Sequence, residues 1–155
     1  MNTKTYQSEY KNIPFNNELV FEKLSNFRFL DFVFSSKNID KIKAENGGEK
    51  SNINVKRYSI DNDACEFTIS PIGTIGLVID KKNSSDFIRI KNVKGPVKFN
   101  IELQIEPVDS QKSKIQITLS AELNMMMQMM IGKKVGKIVD KVASSLAQIP
   151  FDKLA

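Results

Sequence analysis

The chain has 155 residues, one domain's worth of sequence, and at 41% hydrophobic and 26% charged it is composed like a globular protein and unlike a disordered one. Its formal charge of +5, from 23 basic and 18 acidic residues, is scattered along the chain and favours acidic partners only weakly. It has no histidine, which removes Ser-His-Asp and Cys-His catalysis, imidazole proton shuttling and most zinc chemistry, and Cys65 as its only cysteine excludes an intrachain disulfide.

The N-terminus, Met1-Asn2-Thr3-Lys4-Thr5, runs directly into a strand pattern without the apolar core of a signal peptide. No apolar run reaches the ~20 residues of a membrane span, so a cytoplasmic protein without stable membrane insertion is expected. Residues 5–13 alternate, with Tyr6, Ser8, Tyr10 and Asn12 on one face and Gln7, Glu9 and Lys11 on the other. That predicts one strand, closed by Pro14. Asn16 is placed to cap a short helix running to about Leu24, with Leu19, Val20, Phe21 and Leu24 as its apolar set. Ser25 or Asn26 is placed to cap a second, Phe27 to Val33, carrying Phe27, Phe29, Leu30, Phe32 and Val33. From Ser35 to Asn54 the pattern dissolves into Lys, Asn, Glu, Ser and Gly47-Gly48, either a mobile lid or a plain insertion.

Strand patterns then recur almost without pause. Lys56–Ile60 places Tyr58 and Ile60 together, Cys65, Phe67 and Ile69 alternate with Glu66 and Thr68, and Ile75, Leu77 and Ile79 follow. Ile88 and Ile90 alternate with Arg89 and Lys91. Val97, Phe99, Ile101, Leu103 and Ile105 face one way and Lys98, Asn100, Glu102, Gln104 and Glu106 the other. Ile115, Ile117, Leu119, Ala121 and Leu123 repeat the pattern. Strands with one apolar and one solvated face belong to an antiparallel sheet covered on one side. The reversals are marked by Asp61-Asn62-Asp63, Ser70-Pro71-Ile72-Gly73, Asn83-Ser84-Ser85-Asp86, Gly95-Pro96 and Asp109-Ser110, short enough to pair neighbours as a meander.

A long helix ends the chain, capped by Asn124 and stopped by Pro150. Roughly two dozen residues span about 36 Å, close to the reach of the longest strands. Ile131, Val135, Ile138, Val139, Val142, Leu146 and Ile149 are read as its apolar stripe, with Lys133, Lys134, Lys137, Lys141 and Ser144 mostly opposite. The expected fold is a single α+β domain over residues 1–155. In it, a curved antiparallel sheet of about seven strands wraps round the C-terminal helix in the order β-α-α-β-β-β-β-β-β-α.

That order resembles the START-like superfamily, also called SRPBCC, whose helix-grip members include polyketide cyclase-like and birch-pollen-allergen-like proteins. Locally, Tyr6-Gln7-Ser8-Glu9, Ile13-Pro14, the run Cys65-Glu66-Phe67-Thr68-Ile69-Ser70-Pro71-Ile72-Gly73 and the ending Leu146-Ala147-Gln148-Ile149-Pro150 are similar to small bacterial members. These motifs are strands, turns and helix ends, so they speak to fold far more than to function. The resemblance implies a cavity between sheet and helix that holds apolar molecules, and in a few members performs chemistry with polar side chains. It also places the start of the long helix near the cavity mouth.

Several residues are candidates for ligand contact. Five methionines in six residues, Met125, Met126, Met127, Met129 and Met130, offer an adaptable, polarizable surface. They suit a variable ligand, loose core packing, or a partner or membrane contact. Tyr10 and Tyr58, assigned inward, would anchor a ligand's polar end or simply bond a backbone carbonyl. Phe67, Phe99 and Ile101, with Phe29 and Phe32, either line a space under the sheet or fill it. Cys65 points inward with no basic neighbour in sequence, so an inert thiol is expected.

Three functions follow. The first is a non-catalytic binding or carrier protein for a small apolar or amphipathic molecule, without cofactor or metal. The expected ligand contacts are Tyr10, Phe29, Phe32, Tyr58, Phe67, Phe99, Ile101, Met126, Met127 and Met130. The second is a cyclase- or hydrolase-like enzyme, disfavoured because Arg89, Glu102, Glu106 and Glu122 all alternate outward. The third is an interaction module working through the methionines or the basic helix face. Nucleic-acid binding is not expected: there is no tryptophan and no basic block interleaved with aromatics. Oligomeric state is not legible from the chain.

Overall fold

The computed structural model describes residues 2–33, 54–70 and 73–154. The stretch read as lid or insertion therefore lies outside the described residues apart from Asn54, as do Pro71 and Ile72 of one predicted turn. The strands are β1 (Asn2–Gln7), β2 (Lys11–Ile13), β3 (Asn54–Ile60), β4 (Ala64–Ser70), β5 (Gly73–Asn83), β6 (Phe87–Lys94), β7 (Phe99–Pro107) and β8 (Ser113–Leu123). The helices are α1 (Asn17–Leu24), α2 (Phe29–Val33) and α3 (Met125–Ala147). One curved antiparallel sheet runs β1-β8-β7-β6-β5-β4-β3, with β2 prolonging β1 along β8. β3 to β8 pair in sequence order, as their short connections require. No helix among the described residues is long and apolar enough to cross a membrane.

The alternation over residues 5–13 does not run through. Ser8 donates its amide to Ile117 O at 2.8 Å and Lys11 faces Ile115, so Glu9 and Tyr10 together stand opposite Gln116. This β-bulge inserts one residue and reverses the facing of every residue after it. Tyr6 and Ser8 keep the inward face. Beyond the bulge Lys11 and Ile13 take it, sharing faces with Ile115 and Ser113, while Tyr10 and Asn12 are exposed. The inward assignment of Tyr10 is thus corrected. Its hydroxyl donates to Glu106 Oε1 at 3.1 Å and Lys114 Nζ stands 4.6 Å from its ring centroid, both on the convex face.

One end of the sheet is sealed. Asn16 caps α1 by accepting the Leu19 amide at 2.8 Å, and Val20 and Leu24 are fully buried. The second helix is shorter than predicted, because Phe27 and Arg28 form a turn before it. The Phe27 amide donates to Asn62 O at 2.8 Å, and Arg28 Nε and Nη1 donate to Asn62 Oδ1 and Ile60 O, each at 3.2 Å. These bonds hold the turn against the β3–β4 connection. After α3 the chain makes one tight turn, in which Phe151 packs edge-on against Phe15 with ring centroids 5.9 Å apart.

Asn124 caps α3 by accepting the Met127 amide at 2.8 Å, and the helix runs for 23 residues. It rests on β1, β2 and β8. Its buried face is Val139, Ala143 and Leu146, flanked by half-buried Val135 and Ala147. Ile138 and Val142, read into the stripe, are 56% and 44% exposed. Hydropathy weighs branched residues above alanine and glycine, which moves the apparent stripe off the real line of contact. That line uses small residues: Ala143 is fully buried, and a Cβ on Gly132 would lie 3.6 Å from the Tyr6 hydroxyl. Small side chains bring the helix close to the sheet and leave one apolar flank uncovered.

Candidate ligand-binding site

The site begins with how α3 is fixed sideways. Asp140 Oδ2 takes a 3.0 Å bond from Lys11 Nζ, and Asp140 Oδ1 accepts the Glu9 amide at 3.3 Å. The Ser8 amide points to β8, so the neighbouring Glu9 amide, freed by the bulge, points to the sheet's open edge. Asp140 therefore faces that edge. Ile138 and Val142 lie about 200° round the helix from it, on the flank turned toward the rest of the concave face. The Lys11 ammonium and the Glu9 amide hold the Asp140 carboxyl below its ordinary 3.8. A carboxyl lowered on folding stabilises above its unfolded value and loses that contribution as the pH falls through the folded one. Asp140→Asn should therefore unfold at lower denaturant than the parent at neutral pH, and the gap should close as the pH falls below the ordinary carboxyl value of 3.8. The expected gap is small, because the pair is still reached by solvent, Asp140 more than Lys11.

Burial along the strands shows where the space opens. In β7, Ile105 and Leu103 are fully buried near the sealed end, while Ile101 and Phe99 are only half-buried. On the same concave face Ile79, Ile75 and Phe67 are also half-buried. Along β7 the interior thus loosens away from α1 and toward the start of α3, while Leu77 on β5 and Ala121 and Leu123 on β8 stay buried. The charged residues of the central strands, Glu66, Arg89, Glu102 and Glu122, lie on the convex face. Inward polar groups are held by backbone. Ser8 Oγ accepts the Ile117 amide at 2.9 Å, while Asn92 donates to Val97 O at 2.7 Å and accepts from the Phe99 amide at 2.8 Å. Burial pushes the Cys65 thiol up to about 11, so it stays protonated at neutral pH. Among the described residues no group of three His, Cys, Asp or Glu gathers as a metal site.

The residues singled out from sequence separate into groups. Phe67, Phe99 and Ile101 share the concave face. Tyr58 pairs with Phe67 on that face yet is 42% exposed, because β3 is the outer strand of the sheet. Phe29 is buried in the core, and Phe32 lines an open cleft of about 400 Å³ with Lys23, Arg28, Lys153 and Leu154. Both therefore belong to the sealed end. Met127 is half-buried beside Gly95 and Pro96, Met126 is exposed, and the side chain of Met130 lies outside the described residues. Ile138 and Val142, exposed here, are not among the candidates named from sequence. The signal was the glycine and alanine spacing of α3, which marks the seated face and leaves these two beside it.

No protein-family model matches the sequence, and no curated protein matches it. Solved structures do. Over 99% of this chain and 90% of the other, it superposes on norcoclaurine synthase from Thalictrum flavum, solved in complex with dopamine and hydroxybenzaldehyde, with a TM-score of 0.63 and 8% identity. A START superfamily protein from Mycobacterium smegmatis matches with a TM-score of 0.55 and 11% identity, over 94% of this chain and 99% of that one. A conserved protein from Geobacillus kaustophilus matches at 0.56 and 14%, over 98% and 96%. The chain has the START-like helix-grip fold. Identities this low fix the START-like architecture and leave the chemistry to the side chains. In this chain α3 grips along one side and the concave face opens on the other.

Proposed function

We propose that the protein binds a small apolar or amphipathic molecule between the uncovered flank of α3 and the half-buried concave residues Phe67, Ile75, Phe99 and Ile101. The observation that carries this reading is the exposure of Ile138 and Val142, which helix geometry sets on the flank opposite Asp140. Two branched apolar side chains gain nothing from water there, and a ligand covering them contributes roughly 25 cal/mol per Å² of apolar surface removed from solvent. The concave face of the central strands presents few groups for acid–base work, which supports binding over catalysis. Tyr58 and Met127 stand at the rim, where one polar tip and one adaptable thioether suit a molecule with an apolar body. The norcoclaurine synthase complex with two small aromatic molecules supports the fold's capacity for such guests.

Native mass spectrometry of gently purified protein, followed by organic extraction, tests this. A recurrent added mass that extracts as an apolar or amphipathic compound is the expected result. An empty protein that also fails to bind any member of a broad lipid and metabolite panel rejects the reading.

A further inference from the structure

The first two turns of α3 carry an exposed apolar surface that neither the core nor the proposed ligand space uses. Met125, Met126 and Met129 are 78%, 69% and 82% exposed. Beside them, across a surface depression shared by Met127, Asn124 and the β6–β7 connection, Val93 is 64% exposed. Exposed Lys94 and Lys98 line this depression, and Lys134 and Lys137 are exposed on the following turns of α3. Against them stand Glu122 in the depression and Glu66, whose carboxylate lies 3.5 Å from Lys94 Nζ. The tip is therefore apolar at its summit and basic round its shoulder.

We infer that this end of the molecule docks reversibly on an anionic lipid bilayer surface, methionines into the headgroup–acyl boundary and lysines over the phosphates. The charge pattern selects this occupant. A second copy of the chain would bring the same lysines against each other, which opposes association. A protein partner is held by aromatic or guanidinium anchors seated in pockets, whereas this patch is three unbranched methionines projecting from a helix end beside one valine. A fluid layer asks for no fixed relief, and an apolar surface edged with lysines suits an interface whose negative groups sit above hydrocarbon. The docking concerns the open end of the domain and does not require the ligand reading to hold.

Co-sedimentation with vesicles tests it, using phosphatidylcholine alone and phosphatidylcholine mixed with phosphatidylglycerol. Binding is expected to the mixed vesicles, weakening as salt is raised and the Debye length shrinks from about 10 to 3 Å. Lys94→Glu with Lys98→Glu should lower partitioning by at least about fivefold for each lysine. Met125→Ser with Met126→Ser and Met129→Ser should lower it by at least roughly tenfold. The circular dichroism and melting temperature of that triple variant should match the parent, because these side chains are exposed. Ile138→Ser with Val142→Ser, which adds no charge beside Lys134 and Lys137, should leave vesicle binding intact, which separates docking from ligand capture. Absence of binding to mixed vesicles, or binding undiminished in the methionine variant, overturns the inference. So does a dimer in sedimentation velocity that the methionine variant abolishes, since a second copy would then cover the tip.

Discussion

Phe151→Ala is expected to lower the unfolding free energy by about 3–5 kcal/mol, the cost of emptying a fully buried aromatic site. Phe151 is 0% exposed and sits in the single turn that follows α3. Its ring meets Phe15 edge-on at an interplanar angle of 73°, an arrangement worth about 0.5–1.5 kcal/mol beyond area alone. Phe15 O in turn accepts the hydroxyl of fully buried Ser113 at 2.8 Å. One side chain thus fastens the last turn of the chain to the segment leading into α1 and to the start of β8. Domains of this size are stable by about 5–15 kcal/mol in all, so the loss is a large share of the total. Urea unfolding should show a much lower midpoint with an unchanged slope, the sign that the same unit unfolds. A loss under about 1 kcal/mol would mean that the turn is not part of the cooperative core.

The second large effect concerns binding. Ile138→Asp combined with Val142→Asp should weaken an apolar fluorescent probe's affinity by roughly a hundredfold, about 2–3 kcal/mol from two lost apolar contacts and two added charges. Both positions are already exposed, so stability should change by less than about 0.5 kcal/mol for each. The comparison that matters is with Ala143→Asp, one residue along, whose side chain is fully buried. There the helix itself should come loose, and folding and binding should fail together. Unchanged probe affinity in the double variant would place the ligand elsewhere.

Much of the architecture was readable because the concave face enforces strict alternation. In β7 and β8 every second residue from Phe99 to Ile105 and from Ile115 to Leu123 points inward, and no reading of those strands gives another register. Both helix caps, Asn16 and Asn124, were readable for the same local reason: an amide oxygen stands where a free N–H needs an acceptor. The bulge at Glu9 and Tyr10 was not, because each half of the segment alternates correctly by itself. Only the partner strand reveals that two residues share one place. The site was less legible still. Whether an isoleucine on α3 touches sheet or faces open space depends on where Gly132 and Ala143 let the helix settle, and that is a property of packing between distant segments. Phe29 and Phe32 illustrate the same limit: a phenylalanine-rich helix must cover something, but its sequence does not say which end of the sheet it covers.

The gradient of burial along β7 has an evolutionary corollary. Within one strand, Leu103 and Ile105 are buried and Phe99 and Ile101 only half-buried, so under the proposed function the first pair answers to the fold and the second to the ligand. Selection can then act on the two pairs separately. The inner pair tolerates exchanges that conserve volume, and the outer pair is free to change size and polarity as the guest changes. A lineage built on this plan can trade one cargo for another by a few substitutions near the rim while its unfolding behaviour stays the same. The structural neighbours share this shape with the chain at 14% identity or less.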